Sequence, residues 1–265
     1  MTAPALPVVG ERYKRSAGVV WVVELVDERS VTFRSGDRVN VVSLGDPPHS
    51  TRPRTTSARG RVPRGVARSE VRAYVGQTRS ADFIAELERA RLGECTNRGE
   101  YPPRRRPFFY DNGAFVDFKA KRQWDVGRWF AEFERVRVDS PDFAVAPDIV
   151  AGGLASLRQS ERWLPRMSGV RAYLAVQDGM EASDVRSAVA GFAGLFVGGS
   201  LKWKLETGAQ WVFLAHMWGL PCHIGRVGTP SRVRWAKASG ADSIDSCFPL
   251  WTRARLREFV EAVNE

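Results

Sequence analysis

Cysteine and histidine are scarce, at three residues each in a chain of 265. Cys95, Cys222 and Cys247 lie far apart with no C-x-x-C pair, so neither a disulfide framework nor a zinc knuckle organises the chain, and no metal is expected. No apolar run approaches the ~18 residues of a membrane span. Met1–Gly10 has neither a basic opening nor a long apolar core, so no secretory leader is expected. The sequence therefore predicts a cytoplasmic protein with no membrane partner. Acidic residues are also in short supply: Asp and Glu number 30 against 40 Lys and Arg, a formal charge of +10. Such a surplus favours a polyanion, most simply nucleic acid, because each phosphate neutralised releases counterions. A GC-rich genome would leave a similar Arg-rich bias.

What is present suffices for a core, with 43% apolar residues and nine Trp. Residues 1–46 read as a small all-β, SH3-like unit: Val19–Val26, Ser30–Arg34 and Arg38–Leu44 are strand-like, joined by the short turns Asp27-Glu28-Arg29 and Ser35-Gly36-Asp37. So few residues bury little core alone. Residues 47–69 turn to Pro, Ser, Thr, Gly and Arg and read as a linker whose arginines, Arg52 to Arg68, would either touch phosphate or merely be solvated. Residues 70–265 alternate strand and helix patterns, which predicts an α/β fold with a parallel sheet. Seven strands are clear, at 71–75, 108–111, 142–148, 170–176, 194–197, 221–224 and 242–245. A TIM-like (β/α) barrel needs an eighth, which would be irregular, be supplied by the N-terminal segment, or be absent. Helices are expected over 122–136, with Trp129, Phe130, Phe133 and Val136 inside, and over 201–218, capped by Ser200 with Leu205, Trp211, Leu214 and Trp218 inside.

Polar and small residues gather where these strands end, the face on which parallel barrels keep their chemistry. The stretch Cys222-His223-Ile224-Gly225-Arg226-Val227-Gly228-Thr229-Pro230 is a strand, a loop and a helix start, with Thr229 suited to the cap and Pro230 to the first helical turn. Gly240 ends that helix, and Asp242-Ser243-Ile244-Asp245 is a strand closing on a carboxylate. Asp111-Asn112-Gly113 by itself is a turn, Asp148 by itself a helix cap, Gln177 a polar loop residue, and Gly198-Gly199-Ser200 a candidate phosphate-binding turn.

Taken together, these segments resemble the tRNA-guanine transglycosylase superfamily over roughly residues 107 to 252. Val227-Gly228-Thr229-Pro230 running without a gap to Asp245 resembles G-V-G-x-P…G-V-D-x-F-D, and Asp111-Asn112-Gly113-Ala114-Phe115 resembles D-S-G-G-F/Y. Val176-Gln177-Asp178-Gly179 resembles V-Q-G, and Gly194 to Ser200 resembles G-G-L-A-V-G-E. The resemblance implies Asp245 as nucleophile, Asp111 as general acid/base, and Phe115 stacking on the base. It implies Asp148, Gln177, Gly198 and Gly199 as base-binding residues, with no cofactor. Arg226 replaces a small glycine of the pattern and adds a cation. Together with Arg104, Arg105 and Arg106 it is expected to contact nucleic acid. The C-x-C-x-x-C…His zinc segment of the tRNA enzymes has no counterpart in these residues. The sequence is therefore more similar to compact zinc-less relatives that exchange guanine in DNA for a free 7-deazaguanine base. Exchange in tRNA, a non-catalytic nucleic-acid-binding barrel, and a phosphate-binding enzyme of small metabolites are the alternatives.

Overall fold

The computed structural model describes residues 71–265 throughout and, before them, the backbone of four strands. Those four, β1 (Arg12–Lys14), β2 (Val20–Val26), β3 (Ser30–Ser35) and β4 (Arg38–Ser43), pair antiparallel in chain order. The three expected strands correspond to β2, β3 and β4, and β1 is additional. The 47–69 linker and its arginines lie outside the described residues, as do those that would join the four strands into an SH3-like unit.

From residue 71 the chain forms a closed barrel of eight parallel strands in sequence order. They are β5 (Arg72–Gly76), β6 (Gly93–Asn97), β7 (Phe108–Asp111), β8 (Ala144–Val145), β9 (Ala172–Val176), β10 (Gly194–Val197), β11 (Cys222–Ile224) and β12 (Ser243–Ser246), and β12 pairs β5 to close the ring. The helices are α1 (Ala81–Arg89), α2 (Ala114–Lys119), α3 (Val126–Val138), α4 (Leu154–Trp163), α5 (Ala182–Ala188), α6 (Leu201–Met217), α7 (Pro230–Ala238) and α8 (Arg253–Asn264). Runs such as Ala172–Val176 are buried at every position, as a parallel strand covered on both faces requires.

The strand missing from the sequence reading is β6, and it is not donated by the N-terminal segment. Its sequence, Gly-Glu-Cys-Thr-Asn, is polar and has no β-branched run, so it carries no periodic apolar signal. It tolerates Glu94 because Arg105, also fully buried, lies 3.7 Å from it, and Thr96 Oγ1 donates to Glu94 at 3.0 Å. This corrects the expectation that Arg105 meets nucleic acid. Its guanidinium donates to the Val75 carbonyl at 3.0 Å and has no surface to offer. The 122–136 helix begins four residues late, at Val126 behind the Asp125 cap, with Trp129, Phe133 and Val136 buried as expected. In α6, Ser200 caps as expected and Trp211 and Leu214 are buried, but Leu205 is exposed rather than inside.

Side chains alternate along each strand, so every second residue enters the barrel. Tyr74, Phe109, Phe143, Tyr173 and Phe196 fill its interior. Phe109 stacks on Phe143 at 4.5 Å, Phe143 on Tyr173 at 4.0 Å, and Phe196 on His223 at 4.8 Å between ring centroids. Above this aromatic floor the same phase brings Asp111, Gln177, Gly198, Gly225 and Asp245 to the carboxyl end.

Candidate active site

Asp245 is anchored at that end through one of its two oxygens. It is 7% exposed, and its Oδ1 accepts from His223 Nε2 at 3.0 Å and from the Arg226 backbone N–H at 3.2 Å. A carboxylate only accepts, so Nε2 carries the proton. Burial lowers the His223 pKa, with the bond to Asp245 opposing it, so the ring is neutral and its bare Nδ1 accepts from Ser243 Oγ at 2.8 Å. Oδ2 of Asp245 has no partner among the described residues. One oxygen is fixed and the other is available.

Asp111, three strands away in the ring, is half-buried, and its Oδ1 accepts from the Gly113 N–H at 2.7 Å. The turn reading of Asp-Asn-Gly is thus correct as local structure, and Gly113 opens α2 at φ 75°. Only one oxygen is used for it. Loss of solvent raises the Asp111 pKa to about 7; the Gly113 N–H opposes this, the charges of Asp245 and Asp148 add to it, and Arg226 opposes it.

Asp148 is not a helix cap, because α4 starts at Leu154 behind Gly153. Instead its two oxygens accept from Asn112 Nδ2 at 2.9 Å and from Gln177 Nε2 at 2.9 Å. Desolvation raises its pKa in spite of these bonds. Gln177 departs from its expected role. Its amide nitrogen also donates to Ser156 Oγ at 2.7 Å and its oxygen accepts from the Ala151 N–H at 2.6 Å, so it is buried and saturated. It orients Asp148 and leaves no donor for a base. Asn112 and Ser156 share that work and were not singled out from sequence, although Asn112 sits inside the Asp111 motif.

Gly198 and Gly199 differ. The Gly198 N–H is used in the sheet, donating to Val176 O at 2.9 Å, and an added Cβ there would sit 3.4 Å from that oxygen, an ordinary contact. The fold does not itself require glycine at 198. Gly199, at φ +69°, would place a Cβ 2.6 Å from both Asp178 Oδ2 and the Trp203 ring, so the fold does require it. Asp178 is no free carboxylate either, since it accepts from the Ser200 N–H at 2.6 Å and Ser200 Oγ at 2.7 Å, against the cap of α6. That cap explains Gly-Gly-Ser without a phosphate.

Arg226 reaches from the end of β11 across the mouth to Phe115, which follows β7, the strand diametrically opposite. Its guanidinium lies 3.9 Å from the ring centroid, and Nη2 donates to the Gly199 carbonyl. One cation thus spans the space framed by Asp111, Asp148 and Asp245, and covers a face of the aromatic ring expected to stack on a base. Arg104 and Arg106 lie elsewhere. Strand β7 has only four residues, so both precede its amino end, and Arg106 pairs with Asp139 at 3.1 Å. Arg104 is exposed.

Among the described residues, no three His, Cys, Asp or Glu side chains are grouped to hold a metal ion, and no helix is long and apolar enough to cross a membrane. No family model matches the chain, and no curated protein matches it either. The arrangement of carboxylates therefore stands on its own geometry.

Proposed function

We propose that this protein is a base-exchange glycosyltransferase that replaces guanine in DNA with a 7-deazaguanine base through a covalent glycosyl–aspartate. The observation that carries the reading is the unequal treatment of two carboxylates at one barrel mouth. Asp245 has one oxygen fixed by two N–H donors and the other open. Asp111 has a pKa near 7, where it can give up and regain a proton.

In the first displacement, Asp245 Oδ2 attacks C1′ of the target nucleotide. The bond from C1′ to N9 breaks, its electron pair stays on the base, and Asp111 supplies a proton to the departing guanine. The sugar is left as an ester of Asp245. In the second, Asp111, now ionised, takes a proton from the incoming 7-deazaguanine. The base nitrogen attacks C1′, and the ester bond breaks to restore Asp245. Both steps pass through an oxocarbenium-like state, as in retaining glycosidases. In this reading Asp148, held by Asn112 and Gln177, accepts the adjacent N–H donors of a guanine edge. A base in a duplex must be turned out of the stack at a cost of a few kcal/mol, which contact with Phe115 offsets. For that contact the base either displaces the Arg226 guanidinium or takes the other face of the ring.

The test is labelled-guanine exchange into DNA and tRNA side by side, with a search for a denaturant-resistant protein–DNA adduct. Incorporation into DNA and an adduct in the wild type but not in Asp245→Asn is the expected result. Incorporation into tRNA alone would overturn the choice of DNA, and incorporation into neither would overturn base exchange.

A further inference from the structure

Lys204 is used by nothing described so far. It lies in the first turn of α6, is 2% exposed, and its Nζ donates to the Gly225 carbonyl oxygen. Burying an ammonium against one neutral acceptor is expensive, and a methionine or leucine would fill the same space without that cost. The acceptor is therefore informative. Gly225 O and the Arg226 N–H belong to one peptide group, and in a trans peptide the two point in opposite directions. The Arg226 N–H is one of the two donors on Asp245 Oδ1.

We infer that Lys204 is a positioning residue: it holds the Gly225–Arg226 peptide from behind so that its N–H faces the attacking carboxylate. Two further observations bear on this. Arg226 has φ +59°, a left-handed conformation that a non-glycine residue keeps only where its surroundings hold it. A Cβ at Gly225 would lie 2.6 Å from the Phe196 ring and 3.3 Å from Asp245 Oδ1, so the loop is pressed against the nucleophile with no slack on that side. The peptide is thus fixed by the barrel in front and by Lys204 behind. The charged groups around Lys204 are Arg226, Asp245, Arg232 and Asp178. Burial, with Arg226 adding, lowers its pKa to about 7, and the amine donates to the carbonyl whether or not it is charged.

The inference rests on Asp245 being the nucleophile, and its test separates the two ideas. The full-length protein is compared with Lys204→Met, which removes the donor, and with Lys204→Gln, which keeps a neutral one. Labelled-guanine exchange into a guanine-containing oligonucleotide should fall about tenfold or more in Lys204→Met, with the oligonucleotide Kd within twofold, and Lys204→Gln should recover part of the loss. Independently of activity, the Arg226 amide proton should be shifted downfield in the wild type by its bond to the charged Asp245 carboxylate. That signature should be lost in Asp245→Asn and weakened in Lys204→Met. Unchanged exchange together with an unchanged amide resonance in Lys204→Met would overturn the positioning role. Should the wild type exchange no base, the enzymatic reading fails, and the amide resonance alone decides for or against Lys204. Should Lys204→Met not fold, the same two readouts on Lys204→Gln decide it, near-wild-type values supporting the role and a loss as large as in Asp245→Asn overturning it.

Discussion

The two ends of the barrel use the same side chain in opposite ways. At the amino end, Asp142 accepts from Tyr74 Oη at 2.5 Å and Arg72 Nη1 at 2.9 Å, and Asp242 accepts from His216 Nε2 at 2.9 Å and the Cys222 N–H at 2.7 Å. Burial pushes the Asp242 pKa up, but these donors outweigh it and the net shift is downward. At the carboxyl end, Asp111 and Asp148 lose more of their solvent, desolvation outweighs their donors, and both are raised. Carboxylates at the amino end tie strands and helices together, while Asp111, Asp148 and Asp245 at the carboxyl end act on one another's charge across the mouth. That division is the one parallel barrels show between stability and chemistry.

The sharpest way to break the comparison is to neutralise one carboxylate from each end. Asp245→Asn should lower exchange by on the order of 10⁶-fold, the scale seen when a nucleophile is lost. Asp142→Asn should leave kcat within twofold and lower the melting temperature instead. If Asp142→Asn abolished exchange while Asp245→Asn did not, the functional face would be assigned to the wrong end.

Next in size is the acid/base group. Asp111→Asn keeps an acceptor for the Gly113 N–H but cannot move a proton, and should cost about 10²- to 10⁴-fold in kcat. Wild-type exchange should decline as pH rises through about 7, because departure of guanine needs Asp111 protonated. Stability follows the same proton. The folded pKa lies above the ordinary 3.8, so the native state binds the extra proton, and stability is lost as pH rises from about 4 through about 7. Asp111→Asn removes that loss and should be about 4 kcal/mol more stable relative to wild type at pH 8 than at pH 4. Denaturant titrations at the two pH values measure it. A constant difference would mean that Asp111 is not held protonated.

At the amino end the sign reverses. Asp242 has a folded pKa below 3.8, so its contribution is present above that value and fades as pH falls through the lower folded one. Asp242→Asn should cost about 1 kcal/mol at pH 7, a modest figure because the pair with His216 is well exposed. Exchange kinetics should not change.

How much of this was legible in the sequence depends on which kind of signal each residue leaves. Asp111 and Asp245 could be placed at strand ends because glycine-rich loops follow or precede them at fixed spacing, and apolar runs mark their strands. Strand β6 could not, since Glu94 is met only in three dimensions, by hydrogen bonds from Gln77, Thr96 and the Arg104 N–H and by the charge of Arg105, and such partners have no sequence period. Gln177 and Asn112 looked like base readers or turn formers; only the convergence of β7, β8 and β9 shows them aiming Asp148. His223 was in view as one of three histidines, but its link to Asp245 needs the pairing of β11 with β12, which sets residue 223 beside residue 243. Lys204 was not singled out in its helix, and nothing local reveals the Gly225 carbonyl it reaches.

The smallest expected effect concerns charge at the two ends, and it tests the division without touching a carboxylate. Each phosphate contact contributes about 0.9 to the dependence of log K on log salt for duplex DNA and about 0.7 for single strands. Arg226 lies at the mouth, where a nucleotide entering the site brings its phosphates, so Arg226→Ala should flatten the slope by about one contact. It should also free a face of the Phe115 ring, now covered at 3.9 Å, so base affinity need not fall with DNA affinity. Arg106 precedes β7, at the other end, and its charge is already met by Asp139 at 3.1 Å and the Asp139 carbonyl at 2.8 Å. Arg106→Ala should leave the slope unchanged within error while loosening the junction of α3 with the barrel. Binding titrations of both variants over a range of salt give the two slopes directly. A flattened slope for Arg106→Ala and none for Arg226→Ala would put the nucleic acid at the amino end, and the carboxylates of the mouth would then need another substrate.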